Sequence, residues 1–226
     1  MPNPSPDRVL DVVTQHAAVQ RCKLETCGRS ASWLCLLLLP SALSAQNPVY
    51  SVTGIGNFTP FQINDSGVVV GVSGSSGKIY QNGTLTDMGG LPQPAPDFGQ
   101  GNSSAAGVNS SGAVAGWSLL GPSAYSVTYS NGSLSQLPNP PAVSISYSGA
   151  AAINDSGTIV GTFASTDGKH AFAYSNGNYT DIGRVGGLNS AANAINNSGV
   201  VVEERHQPSW VSGISPAVGH SATRQV

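Results

Sequence analysis

Three observations in this sequence predict an all-β fold built from tandem four-stranded repeats. The first is a phrase that returns four times: "FQINDSGVVVG" from Phe61, "AAGVNSSGAVAG" from Ala105, "AAINDSGTIVG" from Ala151 and "ANAINNSGVVVE" from Ala192. Its apolar centres, Ile63, Val108, Ile153 and Ile195, lie 45, 45 and 42 residues apart. The second is another phrase that keeps step with it: "YQNGTLTDMGGL" from Tyr80, "YSNGSLSQLP" from Tyr129 and "YSNGNYTDIGRVGGL" from Tyr174. Two phrases in fixed order at one period mark a solenoid, a propeller or an array. The third is composition. Only 9% of the 226 residues are charged, against roughly 25% in ordinary soluble domains, and short Val/Ile runs alternate with Gly and Asn.

The third unit shows how each repeat reads. Residues 149–154 form a first strand, "DSG" turns the chain, and 158–164 form a second. A third strand over 170–175 meets "NG", and a fourth over 178–183 completes the unit. Asn-Gly between alternating segments is the strongest short-range hairpin signal, because both central residues take positive φ. That assigns Gly83, Gly132 and Gly177 to hairpin turns. In the other phrase Asn or Asp bonds its own backbone ahead, and Gly67, Gly112, Gly157 and Gly199 take the left-handed position. Alternation agrees: His170, Phe172 and Tyr174 share one strand face, as do Tyr125, Val127 and Tyr129. Val68 and Val70 point one way and Val69 the other, which suits a sheet covered on both faces by neighbouring sheets.

Four strands in some 45 residues predict β-propeller-like blades, three full units and a partial one. "YSVTGIG" (50–56) matches "NYTDIG", so it is expected to supply a last strand, pairing with the incomplete fourth unit to close the ring. After Val202 the pattern stops. Residues 203–226 carry neither phrase and read as a divergent, disordered tail, a frame-shifted end, or the break point of a larger propeller.

The N-terminal part reads differently. Residues 33–45, "WLCLLLLPSALSA", follow Arg21, Lys23 and Arg29 and have the form of an export signal cleaved after Ala45. The run is too short to span a membrane and Pro40 interrupts it. Residues 1–45 are thus signal plus a long flank, in which "DRVLDVVTQHAAVQ" suggests an amphipathic turn or two, or an over-extended start. Residues 46–202 are the repeat domain. Cys22, Cys27 and Cys35 all leave with the signal, so the mature chain has no disulfide or Cys ligand.

At "KHAFAYSNGNYTDIGRVGGLNSAANAINNSGVVV" the sequence resembles the HAF-repeat family of bacterial extracellular proteins, with the tripeptide His170-Ala171-Phe172 and its flanking phrases in order. The resemblance covers roughly 50–202. The second unit departs with Tyr125-Ser126-Val127, and the first is shortened to Lys78-Ile79-Tyr80. It implies export and a repeated β architecture, and supplies no catalytic residues.

The residues themselves point away from several functions. From Gln46 on, five Lys or Arg stand scattered against eight acids, which leaves no footprint for nucleic acid. His170 occupies a regular strand position, and His206 and His220 fall in the tail, so no Ser-His-Asp arrangement is expected. Asp65 and Asp155 offer one acid per turn and Ser110 and Asn197 replace them elsewhere, too few for calcium. Asp87 and Asp181 read as strand-end hydrogen bonders. No catalytic residue, cofactor or metal is assigned. The insertion 89–104 places Phe98, with nearby Trp117, as candidates for a contact surface. The expectation is a secreted structural or binding protein whose extracellular partner is a glycan or a protein. An extracellular carbohydrate-active hydrolase or lyase, with converging carboxylates in a propeller channel, is the alternative.

Overall fold

The computed structural model describes residues 11–16, 49–94, 101–140, 147–183, 189–206 and 220–226. The export run 33–45, the three cysteines, Ala45 and Phe98 lie outside these. The chain divides into two compact units, one of them Val9–Ile55 and the other holding the repeats from Gly56 onward. Among the described residues no helix is long and apolar enough to cross a membrane.

In the smaller unit β1 (Asp11–His16) pairs antiparallel with β2 (Val49–Gly54). Two expectations are corrected here. Residues 11–16 are a strand rather than amphipathic turns, because Val12, Val13 and Thr14 favour an extended backbone. The segment from Tyr50 finds its ladder in β1, with Tyr50 opposite Gln15 and Gly54 opposite Asp11. It does not complete the fourth repeat.

The larger unit is all-β, a run of antiparallel sheets in which each strand pairs with its successor. The first sheet holds β3 (Thr59–Ile63), β4 (Val69–Ser73), β5 (Ser76–Gln81) and β6 (Thr84–Gly89). The second holds β7 (Ser103–Val108), β8 (Val114–Leu120), β9 (Ser123–Ser130) and β10 (Ser133–Gln136). The third holds β11 (Ser148–Ile153), β12 (Ile159–Ser165), β13 (Gly168–Ser175) and β14 (Asn178–Gly183). The fourth has three strands, β15 (Asn189–Ile195), β16 (Val200–His206) and β17 (His220–Gln225). The expected disorder from residue 203 is thereby corrected over 203–206 and 220–225. β-Branched Val200 to Val202 start the strand, and its backbone then pairs with β15 on one side and β17 on the other.

The turns explain the phrases. Asn82-Gly83, Asn131-Gly132 and Asn176-Gly177 have φ of 49 and 81, 52 and 78, 52 and 81 degrees, the type I′ signature. At the other corner Gly67, Gly112, Gly157 and Gly199 lie at φ 78 to 83 degrees.

Burial follows the junctions between sheets. Val68, Val70, Ile79 and Met88 of the first sheet pack with Ala105 and Val108 of the second. Ala115 and Leu137 meet Ala150, Ile153 and Phe172. Val160, Ala171 and Ile182 meet Ala192 and Val201. No sheet owns a core by itself; each junction does.

Two sets of polar bonds lock those junctions. Asn64 Nδ2 donates to the Asn109 carbonyl at 2.8 Å, Asn109 to Asn154 at 3.2 Å, and Asn154 to Asn196 at 3.1 Å. The same side chains brace their own corners, since each Oδ1 accepts the N–H four residues ahead, at Val68, Ala113, Thr158 and Val200. One asparagine per repeat therefore shapes the turn and ties it to the next. The second set uses serine. Ser103, Ser148 and Ser190, all buried, accept N–H groups of Gly77, Ser126 and Ala171 in the preceding sheet. Gly77 and Ala171 sit at breaks in the β5–β6 and β13–β14 registers, where their ladder is interrupted. A serine from the next repeat meets the need that the irregularity creates.

Candidate functional site

The first strand of each of the four repeat sheets carries the same defect. Pairing skips one residue between Pro60 and Gln62, Ala105 and Gly107, Ala150 and Ala152, and Ala192 and Ala194. The extra residues are Phe61, Ala106, Ala151 and Asn193. A β-bulge sets two residues against one and re-aims a side chain. Here all four bulged residues line a single groove of about 600 Å³. Val72, Trp117 and Thr162, at equivalent places on the second strands β4, β8 and β12, line it too.

The residue opposite each bulge makes the geometry possible. Pro60, Ala105 and Ala150 pair with Gly71, Gly116 and Gly161. A Cβ on any of these glycines would collide with the carbonyl oxygen of Thr59, Ser104 or Gly149. In the fourth sheet the partner of Ala192 is Glu203. Glu203 is 1% exposed, and among the described residues neither of its carboxyl oxygens has a hydrogen-bond partner. Burying an unpaired carboxylate is costly, so the fourth repeat is the strained member of the set.

The groove presents three aromatic rings: Phe61 at 53% exposure, Tyr147 at 37%, and half-buried Trp117. Trp117 and the Tyr147 hydroxyl both flank Gly149, whose missing side chain leaves room for them. Ser75, Asn102, Ser104, Thr162 and Asn193 line the groove with them. Among the described residues no Asp, Glu, Lys, Arg or His lines it. Two charged side chains touch its lining. Lys169 Nζ lies 5.4 Å from the centre of the Tyr147 ring, and Asn193 Nδ2 donates to Glu204 Oε2 at 3.5 Å.

A second, smaller concavity of about 300 Å³ is lined by the corner residues of all four repeats, Asn64 to Asp65, Asn109 to Ser110, Asn154 to Asp155 and Asn196 to Asn197. Its polar atoms largely serve one another. Asp155 accepts the Ser110 N–H at 2.8 Å and the Asn197 amide at 2.6 Å, and its own N–H donates to Asn197 Oδ1. The Ser110 backbone and hydroxyl donors, with Asn197, hold the Asp155 carboxyl below its ordinary pKa. Among the described residues no group of three or more His, Cys, Asp or Glu is arranged to hold a metal ion.

His170 is paired rather than free. Its Nδ1 lies 2.7 Å from Asp181 and its Nε2 3.0 Å from Asp167, with the Phe163 ring 5.4 Å away. In the first sheet Asp87 is instead paired with Lys78 at 2.7 Å, from the β5 position that Phe172 fills in β13. Both aspartates also accept the glycine N–H two residues on, at Gly89 and Gly183. Burial raises the Asp87 carboxyl, but Lys78 and the Gly89 N–H outweigh it, and the net shift is downward. The aspartate is the constant part of these strand-end contacts, and its side-chain partner comes from different strand positions in the two sheets.

A scan against protein-family models finds no match, and comparison with curated proteins and with solved structures finds none either. The site therefore rests on its own chemistry. Of the residues singled out in the sequence, the structure places Trp117 in the groove. The glycines of the phrases shape the turns and stand away from it. Phe61, Tyr147 and Asn193 were missed. The signal that would have found the bulges is the glycine closing "VVVG", "AVAG" and "TIVG", repeated because a bulged strand presses on it.

Proposed function

We propose that this chain is a secreted β-repeat protein of the HAF-repeat kind, with a binding or structural role outside the cell and no catalysis of its own. In this reading the sheets are propeller-like blades, and the groove between their first strands is the recognition surface. Export rests on the 33–45 run, and the family on the phrases around His170. One observation carries the functional part: four repeats deliver the same bulged position to one groove, and among the described residues that groove is lined by aromatic and amide side chains and by no charged one. Recognition by a rigid scaffold needs such a surface. Glycoside cleavage by the usual route needs two converging carboxylates, and among the described residues none lines the groove, Glu204 touching it through Asn193.

The test is a panel of chromogenic glycosides and polysaccharides incubated with the purified protein. The expected result is no turnover above buffer. Turnover that disappears in Glu204→Gln would overturn the non-catalytic reading and install the hydrolase in its place.

A further inference from the structure

We infer that the groove takes an uncharged oligosaccharide, held by stacking on Phe61, Trp117 and Tyr147 and by hydrogen bonds to the amides and hydroxyls that line it with them. This rests on the binding reading above and names the ligand class for the same site.

Three features of the groove select that class. Among the described residues no charged side chain lines the groove. The two that touch its lining, Lys169 at Tyr147 and Glu204 at Asn193, are of opposite sign, so neither sign of ligand is favoured over a neutral one. A peptide that added itself as a strand would need an unbroken row of backbone donors and acceptors on a sheet edge. The edge strands that face the groove, β3, β7, β11 and β15, are each interrupted by a bulge. Recognition therefore falls to side chains. Those side chains are flat apolar rings beside groups that both donate and accept, namely Ser75, Asn102, Thr162 and Asn193. A pyranose matches both halves, with an apolar C–H face for a ring and hydroxyls around its rim.

The bulged position also sets specificity. It is Phe61 in the first repeat, Ala106 and Ala151 in the middle two, and Asn193 in the fourth. The scaffold repeats while this residue changes. Two alanines leave space, one phenylalanine supplies a platform, and one asparagine reads a hydroxyl.

The experiment is titration calorimetry of the full chain against neutral hexasaccharides of glucose, mannose, xylose and N-acetylglucosamine, with polygalacturonate, heparin and an extended polypeptide alongside. At least one neutral sugar should bind saturably. Phe61→Ala and Trp117→Ala should each weaken it about tenfold or more, while Lys78→Ala should leave it unchanged. Phe61 is exposed, so its variant carries the test even where Trp117→Ala fails to fold. Binding only of acidic sugars or of polypeptide, still sensitive to Phe61→Ala, overturns the sugar class and leaves the groove as a site. Sugar binding indifferent to both aromatic variants overturns the groove, and binding of nothing overturns both readings.

Discussion

In the third repeat Ala150 pairs with Gly161 and the bulge at Ala151 fits closely against β12. In the fourth, Ala192 pairs with Glu203, a buried carboxyl group with no hydrogen-bond partner among the described residues. The corner asparagine, the serine lock and the bulge itself are the same in both. The difference teaches which parts of the repeat are free to vary. The bulged residue accepts Phe, Ala or Asn because it faces open space, whereas the residue opposite faces a carbonyl oxygen and accepts only hydrogen without cost. Neighbours set the rest. Val160 is fully buried under the fourth sheet while its counterpart Val202 is 37% exposed, and Val108 and Ile153 are buried where Ile63 is 50% exposed.

The most disruptive way to break this comparison is to give the third repeat the residue of the fourth. Gly161→Glu should lose at least ~4 kcal/mol in equilibrium denaturation, since it combines a backbone clash with a buried charge. The reciprocal change, Glu203→Gly, should raise stability by about 2 kcal/mol by removing the unpaired carboxylate. If the midpoint fell instead, Glu203 would have a favourable role that its surroundings do not reveal. Asn109→Ala should cost about 2 kcal/mol, because it opens the corner at Ala113 and the link to Asn154 together. An Asn109→Asp variant would keep the corner acceptor but set a carboxylate oxygen against the Asn154 carbonyl, so it should cost at least as much.

The smallest effect is in acid. The folded-state pKa values of Asp87 and Asp155 are lowered. Their stabilising contribution is present above the unfolded carboxylate pKa and is lost as pH falls through the folded values. Denaturation midpoints should therefore decline on acidification below the ordinary carboxylate range, and Asp155→Asn should flatten that decline. An unchanged slope would mean the Ser110 and Asn197 contacts contribute nothing in solution.

How much of this was legible follows from the range of each interaction. Period, strand order and turn type are written locally, in Asn-Gly pairs and in glycines that need positive φ, so they can be read from "YSNG" and "NDSG". The corner asparagine was legible as a turn former. Its second bond, to a residue 45 positions away, is set by docking and has no local mark. The groove was illegible for the same reason: Phe61 and Asn193 look like ordinary strand residues until the bulges turn them to one side. Tyr147 precedes its strand and belongs to neither phrase. The C-terminal strands were missed because pairing of β16 with β17 depends on backbone hydrogen bonds, which a search for repeated side chains does not see.

The central claim is that the repeats dock into one body and that docking creates the groove. Native-state hydrogen exchange at the N–H groups of Gly77, Ser126 and Ala171 tests it most directly, because each is bonded to a serine of the next repeat. Docked repeats predict that these three amides exchange only through opening as costly as that of the strand centres at Val70, Ala115 and Val160. Rapid exchange at all three, with the strand centres still protected, would show repeats that fold singly and contradict the account.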